Sequence, residues 1–125
     1  MGKRVLVIED HEDNRRILHD LLTSAGYEPL EAITGEEGVA LAETHRPDLI
    51  LMDIQLPGLD GYEATRRIKA NPALRHIPVI AVTSYALSGD EVKAKAAGCD
   101  AYVTKPFSPR ALLAKVREYL PAEEG

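Results

Sequence analysis

The chain has 125 residues, of which 45% are hydrophobic and 28% charged, and its formal net charge at pH 7 is -5. This length suits one hydrophobic core, and the composition excludes disordered and fibrous classes. The acidic balance argues against direct binding to nucleic acid or to an anionic membrane surface, since both require a basic patch. We therefore expect one globular domain over residues 1–125.

The cysteine content and the N-terminal segment indicate the compartment. Cys99 is the one cysteine of the sequence, so no internal disulfide can form, as is usual in a reducing environment. The apolar run Val5–Ile8 is too short for a signal peptide or a membrane span. We therefore expect a cytoplasmic protein without membrane insertion, in which Cys99 is a small buried side chain.

The first part of the chain predicts a strand, a helix and a second strand. Val5–Ile8 has the length of a strand. Apolar residues then recur with the spacing of one helical stripe, and Gly26 is typical of a helix end. In the following strand, Tyr27–Ala32, Pro29 cannot donate a backbone hydrogen bond, so we place this strand at an edge of the sheet. The stripe consists of Ile17, Leu18, Leu21, Leu22 and Ala25.

The rest of the chain continues the alternation of strands and helices. Thr34 with Glu37 has the spacing of a capping box, which marks a helix start, and Ser108 before Pro109 is another start signal. Ser88 with Glu91 has the same capping-box spacing and predicts a further helix start. The remaining predicted strands are Leu49–Met52, Val79–Val82 and Ala101–Val103, and the remaining predicted helices include Tyr62–Ala70 and Ala111–Leu120.

This alternation predicts an α/β fold with five strand-helix units. Nearly continuous apolar strands are typical of a parallel sheet buried on both faces. Right-handed crossovers and an edge strand that contains proline favour a doubly wound sheet of order 2-1-3-4-5 with five helices.

Polar side chains follow four of the five predicted strands, at the point where each strand ends. In a doubly wound sheet, ligands bind beyond the carboxyl ends of the strands, so we expect these side chains to converge. They are Glu9-Asp10 after the first strand, Asp53 after the third, Thr83-Ser84 after the fourth, and Thr104-Lys105-Pro106 after the fifth.

Three acids of this group, Glu9, Asp10 and Asp53, would repel one another unless a cation or a proton compensated their charge. Any one of them alone is adequately explained as a solvated acid at a loop tip, but their convergence favours a metal site. Oxygen ligands favour Mg²⁺ or Mn²⁺, and no cysteine cluster or zinc-like histidine spacing competes. We therefore expect Mg²⁺ at these acids, with Mn²⁺ as a substitute.

Lys105, Thr83 and Asp53 add the elements of phosphoryl transfer. An exposed lysine and a threonine in a turn are ordinary features, but the strand-end positions favour a functional role here. The Lys105 ammonium can neutralise a carboxylate and later pair with a phosphoryl oxygen, to which the Thr83 hydroxyl can also donate. An aspartate can form an acyl phosphate, and Asp53 is positioned for that role.

The chain contains VLVIED at Val5–Asp10, DLILMD at Asp48–Asp53, LPG at Leu56–Gly58, VIAVT at Val79–Thr83 and YVTKP at Tyr102–Pro106. These motifs resemble those of the response regulator receiver domains of two-component signalling systems, in the same order and over practically the whole chain. The resemblance implies a flavodoxin-like fold with the sheet order given above.

The resemblance also implies which residues hold the metal and the phosphoryl group. Asp53 would be the phosphoacceptor. Mg²⁺ would be bound by Asp10, Asp53 and the backbone carbonyl of Gln55, and Glu9 would contribute mainly through bound water. His11 differs from the aspartate or asparagine that often occupies its position in the family, and it lies next to the proposed metal ligand Asp10.

The remaining matches concern the switch. Thr83 and Lys105 would engage the phosphoryl group, and Tyr102 would rotate during the switch. The peptide between Lys105 and Pro106 would be cis, as the family resemblance implies and as proline makes accessible.

The resemblance implies the partners as well. The phosphoryl donor would be a histidine kinase or a histidine phosphotransfer protein, with acetyl phosphate as a small substitute, and self-dephosphorylation would reset the domain. Strand four, helix four, strand five and helix five would rearrange, and the face formed by helix four, strand five and helix five would bind an unknown downstream protein. Such a domain would be a monomer or a weak homodimer and not a dedicated enzyme.

Other functions remain as alternatives. A flavin-binding protein with this sheet order would need a phosphate-cradling loop after strand one, where Glu9–Asp13 is strongly acidic. An aspartyl-phosphate hydrolase would have Asp-x-Asp, but Gln55 occupies the second position. An adaptor that works without phosphorylation, or a receiver segment of a hybrid histidine kinase, would carry the same motifs. With only Pro121–Gly125 after the last predicted helix, we expect a stand-alone relay.

Overall fold

A computed structural model of the protein describes residues 3–83, 90–105 and 108–121, with the backbone alone for residues 90 and 91. Five parallel strands form one sheet in the order β2-β1-β3-β4-β5, which confirms the predicted fold class. The strands are β1 (Arg4–Ile8), β2 (Glu28–Ala32), β3 (Leu49–Asp53), β4 (Val79–Thr83) and β5 (Ala101–Thr104), and the helices are α1 (Glu12–Ser24), α2 (Gly35–His45), α3 (Gly61–Ala70), α4 (Asp90–Ala97) and α5 (Pro109–Tyr119).

The hydrophobic core consists of one cluster on each face of the sheet. Every residue of β3 and β4 is buried, because helices cover both faces of these central strands. Successive side chains of a strand point to opposite faces, so Ile50 and Leu51 belong to different clusters. Helices α2, α3 and α4 contribute to the cluster of Ile50, and α1 and α5 contribute to that of Leu51.

The edge position of β2 is confirmed. Pro29 lies in this strand, opposite Val5 of β1, and β2 pairs with β1 alone. A proline without an N–H is tolerated there because the outer side of an edge strand has no ladder to complete.

The helix starts at Thr34 and Ser108 are also confirmed. The Thr34 hydroxyl accepts from the Glu37 N–H at 3.1 Å, and the Ser108 hydroxyl accepts from the Ala111 N–H at 3.3 Å. In the first box, the Glu37 carboxylate accepts from the N–H of Ile33, one residue before the position expected for a capping box. The predicted box of Ser88 and Glu91 lies outside the residues whose side chains are described.

The prediction that Ile17 belongs to the buried stripe of α1 is wrong. Ile17 is 49% exposed, whereas Leu18 and Leu22 are buried against the sheet. Successive helical residues are about 100° apart, so a helix that covers the sheet with Leu18 and Leu22 turns its neighbour Ile17 outward. The predicted end is confirmed, because Gly26 has φ 92°, a left-handed conformation that glycine adopts without a steric penalty.

The predicted burial of Cys99 is confirmed, since this residue belongs to the cluster formed with α2, α3 and α4. Within the described ranges, none of the helices combines the length and the apolarity that a membrane span requires.

Candidate functional site

The parallel strands bring the predicted polar residues to one edge of the sheet. Asp53 ends β3 and is paired with Val82, so Thr83 lies one residue beyond this pair on the neighbouring strand. The Lys105 N–H donates to the Thr83 carbonyl at 2.6 Å, which extends the pairing of β4 and β5 past Thr104. On the other side of β3, the Glu9 N–H donates to the carbonyl of Ala32 at 3.0 Å.

Lys105 lies between the two buried acids of the site. Its ammonium is 2.7 Å from Glu9 Oε1 and 3.4 Å from Asp53 Oδ2. Both carboxylate side chains are 2% exposed, and the Lys105 side chain is 14% exposed. The predicted convergence of β1, β3 and β5 at one charged site is therefore present in the structure.

Burial and charge perturb the pKa values of these three groups. Burial, followed by the facing Glu9 carboxylate, raises the pKa of Asp53 to about 6. Burial acts in the same direction on Glu9, but hydrogen bonds from Lys105, Asp53 and the His11 N–H outweigh it and lower the pKa of Glu9. Burial acts to lower the pKa of Lys105, yet the hydrogen bond to Glu9 and the charge of Asp53 raise it. Of these two acids, Asp53 is therefore the first to take up a proton as pH falls when no further cation is present.

The acids of the site fit a divalent cation. One ligand atom from each of Glu9, Asp10, His11 and Asp53 lies within 4.8 Å of the other three. Asp10 Oδ1 is buried and has no hydrogen-bond partner among the described residues, although it is 3.3 Å from Nδ1 of His11. A buried carboxylate oxygen without a hydrogen bond is costly, and coordination of a metal would satisfy it. The oxygens of Glu9, Asp10 and Asp53 are of the type that Mg²⁺ binds.

Arg15 holds the backbone of Glu9 and Asp10 in place, a role that the sequence did not predict. One Arg15 nitrogen donates to the backbone carbonyls of Glu9 and Asp10, at 3.1 Å in each case. Its Nε is 3.6 Å from Glu31 on β2. Arg15 therefore fixes the backbone that carries two of the acids. Its position in the first turns of α1 indicates only a charged helix surface, so the sequence contains no signal for this contact.

Gly61 was also missed, and it determines how α3 approaches Asp53. A Cβ at this position would lie 2.7 Å from the Cα of Ile54 and would clash with the Asp53 carbonyl. The first turn of α3 can therefore pack directly behind the end of β3 because residue 61 has no side chain. The Asp60 carboxylate caps this turn by accepting from the N–H of Glu63 at 2.9 Å.

The structure places the other predicted residues as follows. The Gln55 N–H donates to Asp53 Oδ1 at 3.0 Å, which brings the Gln55 backbone next to the site, while the metal role of its carbonyl stays a prediction. Thr83 is buried at the end of β4, and Tyr102 is partly buried on β5. The predicted cis peptide lies outside the described residues, because it includes Pro106.

Comparison with known proteins identifies the family of these motifs. The family model described as the response regulator receiver domain matches residues 5–117. The polar-differentiation response regulator DivK of Brucella anthropi is 47% identical over 120 residues, which are 96% of this chain and 98% of that protein. DivK of Brucella ovis is 46% identical over the same shares of both chains.

Solved structures show the same likeness. The receiver domain of a sensor histidine kinase from Pseudomonas aeruginosa, solved with a magnesium ion coordinated in its active-site cleft, is 38% identical, with a TM-score of 0.89 over 96% of this chain and 98% of that one. The chemotaxis protein CheY4 of Vibrio cholerae is 27% identical, with a TM-score of 0.90 over 95% and 99% of the two chains.

Proposed function

This chain belongs to the response regulator receiver domain family, and from that membership we propose that it is a signalling switch phosphorylated on Asp53. Family membership makes it a two-component signalling protein and not a dedicated enzyme. The observation that carries the assignment of Asp53 is its place at the end of β3, buried and 3.4 Å from the Lys105 ammonium.

In the proposed step, an Asp53 carboxylate oxygen attacks the phosphorus of a phosphohistidine or of acetyl phosphate. A P–O bond to Asp53 forms as the bond to imidazole or acetate breaks, and the leaving group keeps that electron pair. Lys105 lies where it can pair with a phosphoryl oxygen on Asp53, and the Thr83 hydroxyl is on the adjoining strand end. Hydrolysis of the resulting acyl phosphate returns Asp53 to its carboxylate.

The metal of this site is proposed to be Mg²⁺, with Mn²⁺ as a substitute. The acidic cluster supports this, as does the magnesium ion in the Pseudomonas aeruginosa receiver domain. When bound, the ion offsets the charge of the acids and of the transferring phosphoryl group. Asp10 and Asp53 would hold it with the Gln55 carbonyl, and Glu9 would act mainly through water because Lys105 and His11 already occupy its oxygens.

Receiver domains interact with histidine kinases and phosphotransfer proteins, and we propose such a protein as the donor here. A single-domain relay is favoured because the match spans 98% of a relative that is itself a response regulator, DivK of Brucella anthropi. A cytoplasmic location is proposed because the single cysteine fits a reducing compartment. The likeness to a receiver domain of a sensor histidine kinase supports the second candidate, a receiver segment of a hybrid kinase. Both candidates use the same chemistry at Asp53.

The proposed output is a rearrangement of β4, α4, β5 and α5. The Thr83 carbonyl accepts the N–H of Lys105, so the residues that read the phosphoryl group lie where β4 and β5 join. If the Thr83 hydroxyl moved to bind a phosphoryl oxygen on Asp53, the displacement would affect both β4 and β5, including the partly buried Tyr102 on β5. The face formed by α4, β5 and α5 is therefore proposed to bind the downstream protein.

Intact-mass analysis after incubation with acetyl phosphate tests the acceptor. With Mg²⁺, the parent protein should gain one phosphoryl group, whereas Asp53→Asn should gain none because an amide oxygen is a poor nucleophile. The parent in EDTA should remain unmodified. Asp20→Asn is the matched control, since Asp20 is an exposed aspartate of α1, and it should be modified like the parent.

A stoichiometric acid-labile adduct on Asp53→Asn would show that the acceptor is another residue. If neither acetyl phosphate nor a phosphorylated histidine phosphotransfer protein modified the parent, the protein would be an adaptor that works without phosphorylation.

A further inference from the structure

Among the four residues that could bind a metal in the described part of the chain, Glu9, Asp10, His11 and Asp53, only His11 offers a nitrogen ligand. It is the N-cap residue of α1, and its side chain is 68% exposed. Its Nδ1 lies 3.3 Å from Glu9 Oε2 and also 3.3 Å from Asp10 Oδ1. The ring therefore faces the two acids at the end of β1, while its other edge is open to solvent.

The separation between His11 Nδ1 and Asp10 Oδ1 matches that of neighbouring ligands on one metal ion, whereas the contact of Nδ1 with Glu9 Oε2 is a hydrogen bond. Two ligand atoms at about 2.1 Å from an ion are about 3 to 3.5 Å apart when they occupy adjacent coordination positions. A charge-assisted N–H···O bond is shorter, at about 2.7 to 2.9 Å. The contact between His11 and Asp10 fails to form a hydrogen bond and leaves Asp10 Oδ1 without a partner in the described part of the chain. The ring nitrogen and this oxygen are thus arranged as two adjacent donors.

We propose that His11 is a ligand of the metal site and raises its affinity for imidazole-binding divalent cations relative to that for Mg²⁺. This proposal rests on the metal site of the proposed function and adds to it the identity of a fourth donor. Carboxylate oxygens alone suit Mg²⁺ and Mn²⁺, whereas imidazole favours Ni²⁺, Cu²⁺ and Zn²⁺. With His11, the site has a mixed nitrogen and oxygen donor set, so late transition metals compete with Mg²⁺ at the residues that prepare Asp53 for phosphorylation.

A different role for the ring would be to position the Glu9 carboxylate. The backbone N–H of His11 donates to Glu9 Oε2 at 3.1 Å, and the ring Nδ1 forms a hydrogen bond of 3.3 Å with the same oxygen. A residue that only positioned Glu9 would affect all cations alike. A direct nitrogen ligand would change affinity for Ni²⁺ and leave Mg²⁺ almost unaffected, since Mg²⁺ has little preference for imidazole.

The test uses the full chain without a histidine tag. Mn²⁺ bound to the parent protein should show a ¹⁴N coupling in pulsed electron paramagnetic resonance, and His11→Asn should lose it. In calorimetric titrations, His11→Asn should bind Ni²⁺ about tenfold more weakly or worse, with a change of less than about threefold for Mg²⁺. His19→Asn is the matched control, because Nδ1 of His19 lies 3.2 Å from Glu31, outside the acidic cluster, and it should behave as the parent does.

Mn²⁺ binding without a ¹⁴N coupling in the parent would overturn the role of His11 and leave the oxygen site of the proposed function in place. A coupling that persists in His11→Asn, or an equal loss of affinity for Ni²⁺ and Mg²⁺, would overturn it as well. If the parent bound neither Mn²⁺ nor Mg²⁺, the metal site of the proposed function would fail together with this proposal.

Discussion

Glu9 and Asp53 are buried acids that share the ammonium of Lys105, and this unequal sharing determines how the metal-free site responds to pH. Lys105 is closer to Glu9 than to Asp53, at 2.7 Å against 3.4 Å. Glu9 therefore stays ionised in an ion pair with Lys105, and ionisation of Asp53 is unfavourable because it adds a second buried negative charge. A proton or a metal ion removes that cost, so the same arrangement favours binding of a cation at Asp53.

Asp53→Asn should stabilise the metal-free protein at neutral pH and not in acid. The pKa of Asp53 is raised to about 6 from an ordinary value of 3.8, so the folded state prefers the protonated acid. Stability from this group is present below the unfolded pKa and is lost as pH rises toward the folded pKa. In EDTA, the free energy of unfolding of the variant should exceed that of the parent by roughly 2 kcal/mol at pH 7.5, and the two should be nearly equal at pH 4.

Urea titrations in EDTA at several pH values measure this difference. Asp20→Asn is the exposed control and should track the parent at each pH. A constant difference between Asp53→Asn and the parent from pH 4 to 7.5 would contradict the electrostatic origin of the effect.

Thr83→Ala should separate phosphorylation from the rearrangement of the output face. The variant keeps the acids and Lys105, so it should still accept the phosphoryl group on Asp53, but it lacks the hydroxyl that would bind a phosphoryl oxygen. In nuclear magnetic resonance spectra, phosphorylation of the parent should shift amide signals of α4 and β5, whereas Thr83→Ala should show shifts confined to the ends of β1 and β3. Thr83→Ser restores a hydroxyl and should behave like the parent. Identical shifts in Thr83→Ala and in the parent would remove this role from Thr83.

Strand-end reasoning predicts part of the site and misses the residues that support it. Glu9, Asp53 and Lys105 come together because parallel strands end at one edge, which the order of elements already implies. Arg15 and Gly61 act through backbone carbonyls and through close packing, respectively. Neither contact leaves a pattern in the sequence, because it depends on how a helix is placed relative to a loop.

At the scale of elements, Lys69 joins the end of α3 to the entry of β4 and β5. Its ammonium donates to the Ile77 carbonyl at 2.7 Å, to the Arg75 carbonyl at 3.1 Å and to Asp100 Oδ2 at 2.9 Å. The same Asp100 oxygen accepts from the N–H of Val79 at 2.8 Å. This group of contacts holds the amino ends of two strands together, at the end of the sheet opposite to the acidic site.

Lys69→Met should therefore lower the free energy of unfolding by about 2 kcal/mol, because hydrogen bonds from a charged and largely buried donor are lost. Lys115→Met is the matched control. Lys115 is also 2.9 Å from an acid, Glu118, but this pair lies on the surface of α5, and its removal should have little effect. Urea unfolding of both variants measures the difference. Equal effects of the two substitutions would show that the contacts of Lys69 add nothing beyond a surface ion pair.

Helix boundaries are predictable where a side chain caps its own helix, and less so where packing decides. Thr34 and Ser108 were found because their caps are local in sequence. Ile17 was placed on the buried stripe because periodicity defines the direction of a helix face but not its width. Leu18 and Leu22 are buried against the sheet and Leu21 is partly buried beside them, whereas Ile17 lies outside the covered face, and that limit depends on tertiary packing.

At the scale of the whole molecule, the order of the sheet followed from a few features of the sequence. Pro29 placed β2 at an edge, the nearly continuous apolar runs predicted a parallel sheet buried on both faces, and right-handed crossovers favoured the order that the structure has. The two hydrophobic clusters extend across several strands on either face, so the acidic site and Cys99 are connected through the same packed sheet. This continuity favours cooperative unfolding of the whole chain.

The thiol of Cys99 can test whether the molecule opens as one unit. Cys99 is 8% exposed and contacts the Thr65 hydroxyl at 3.8 Å, and burial raises its pKa, so native thiol labelling should be far slower than labelling in urea. If exposure of Cys99 requires global unfolding, a ligand at the distant acidic site must slow it. Mg²⁺ at ten times its dissociation constant should slow native labelling about tenfold, because binding to the folded state reduces the unfolded population by that factor.

The labelling rate of Asp53→Asn provides the control, because loss of a proposed metal ligand should remove most of the Mg²⁺ effect. The Mg²⁺ concentrations should be ones at which calorimetry demonstrates binding. If Mg²⁺ then leaves the native labelling rate of the parent protein unchanged, Cys99 is exposed by local opening near α4 and β5. The described part of the chain would then contain a region that opens independently of the acidic site, and global cooperativity would be the wrong description.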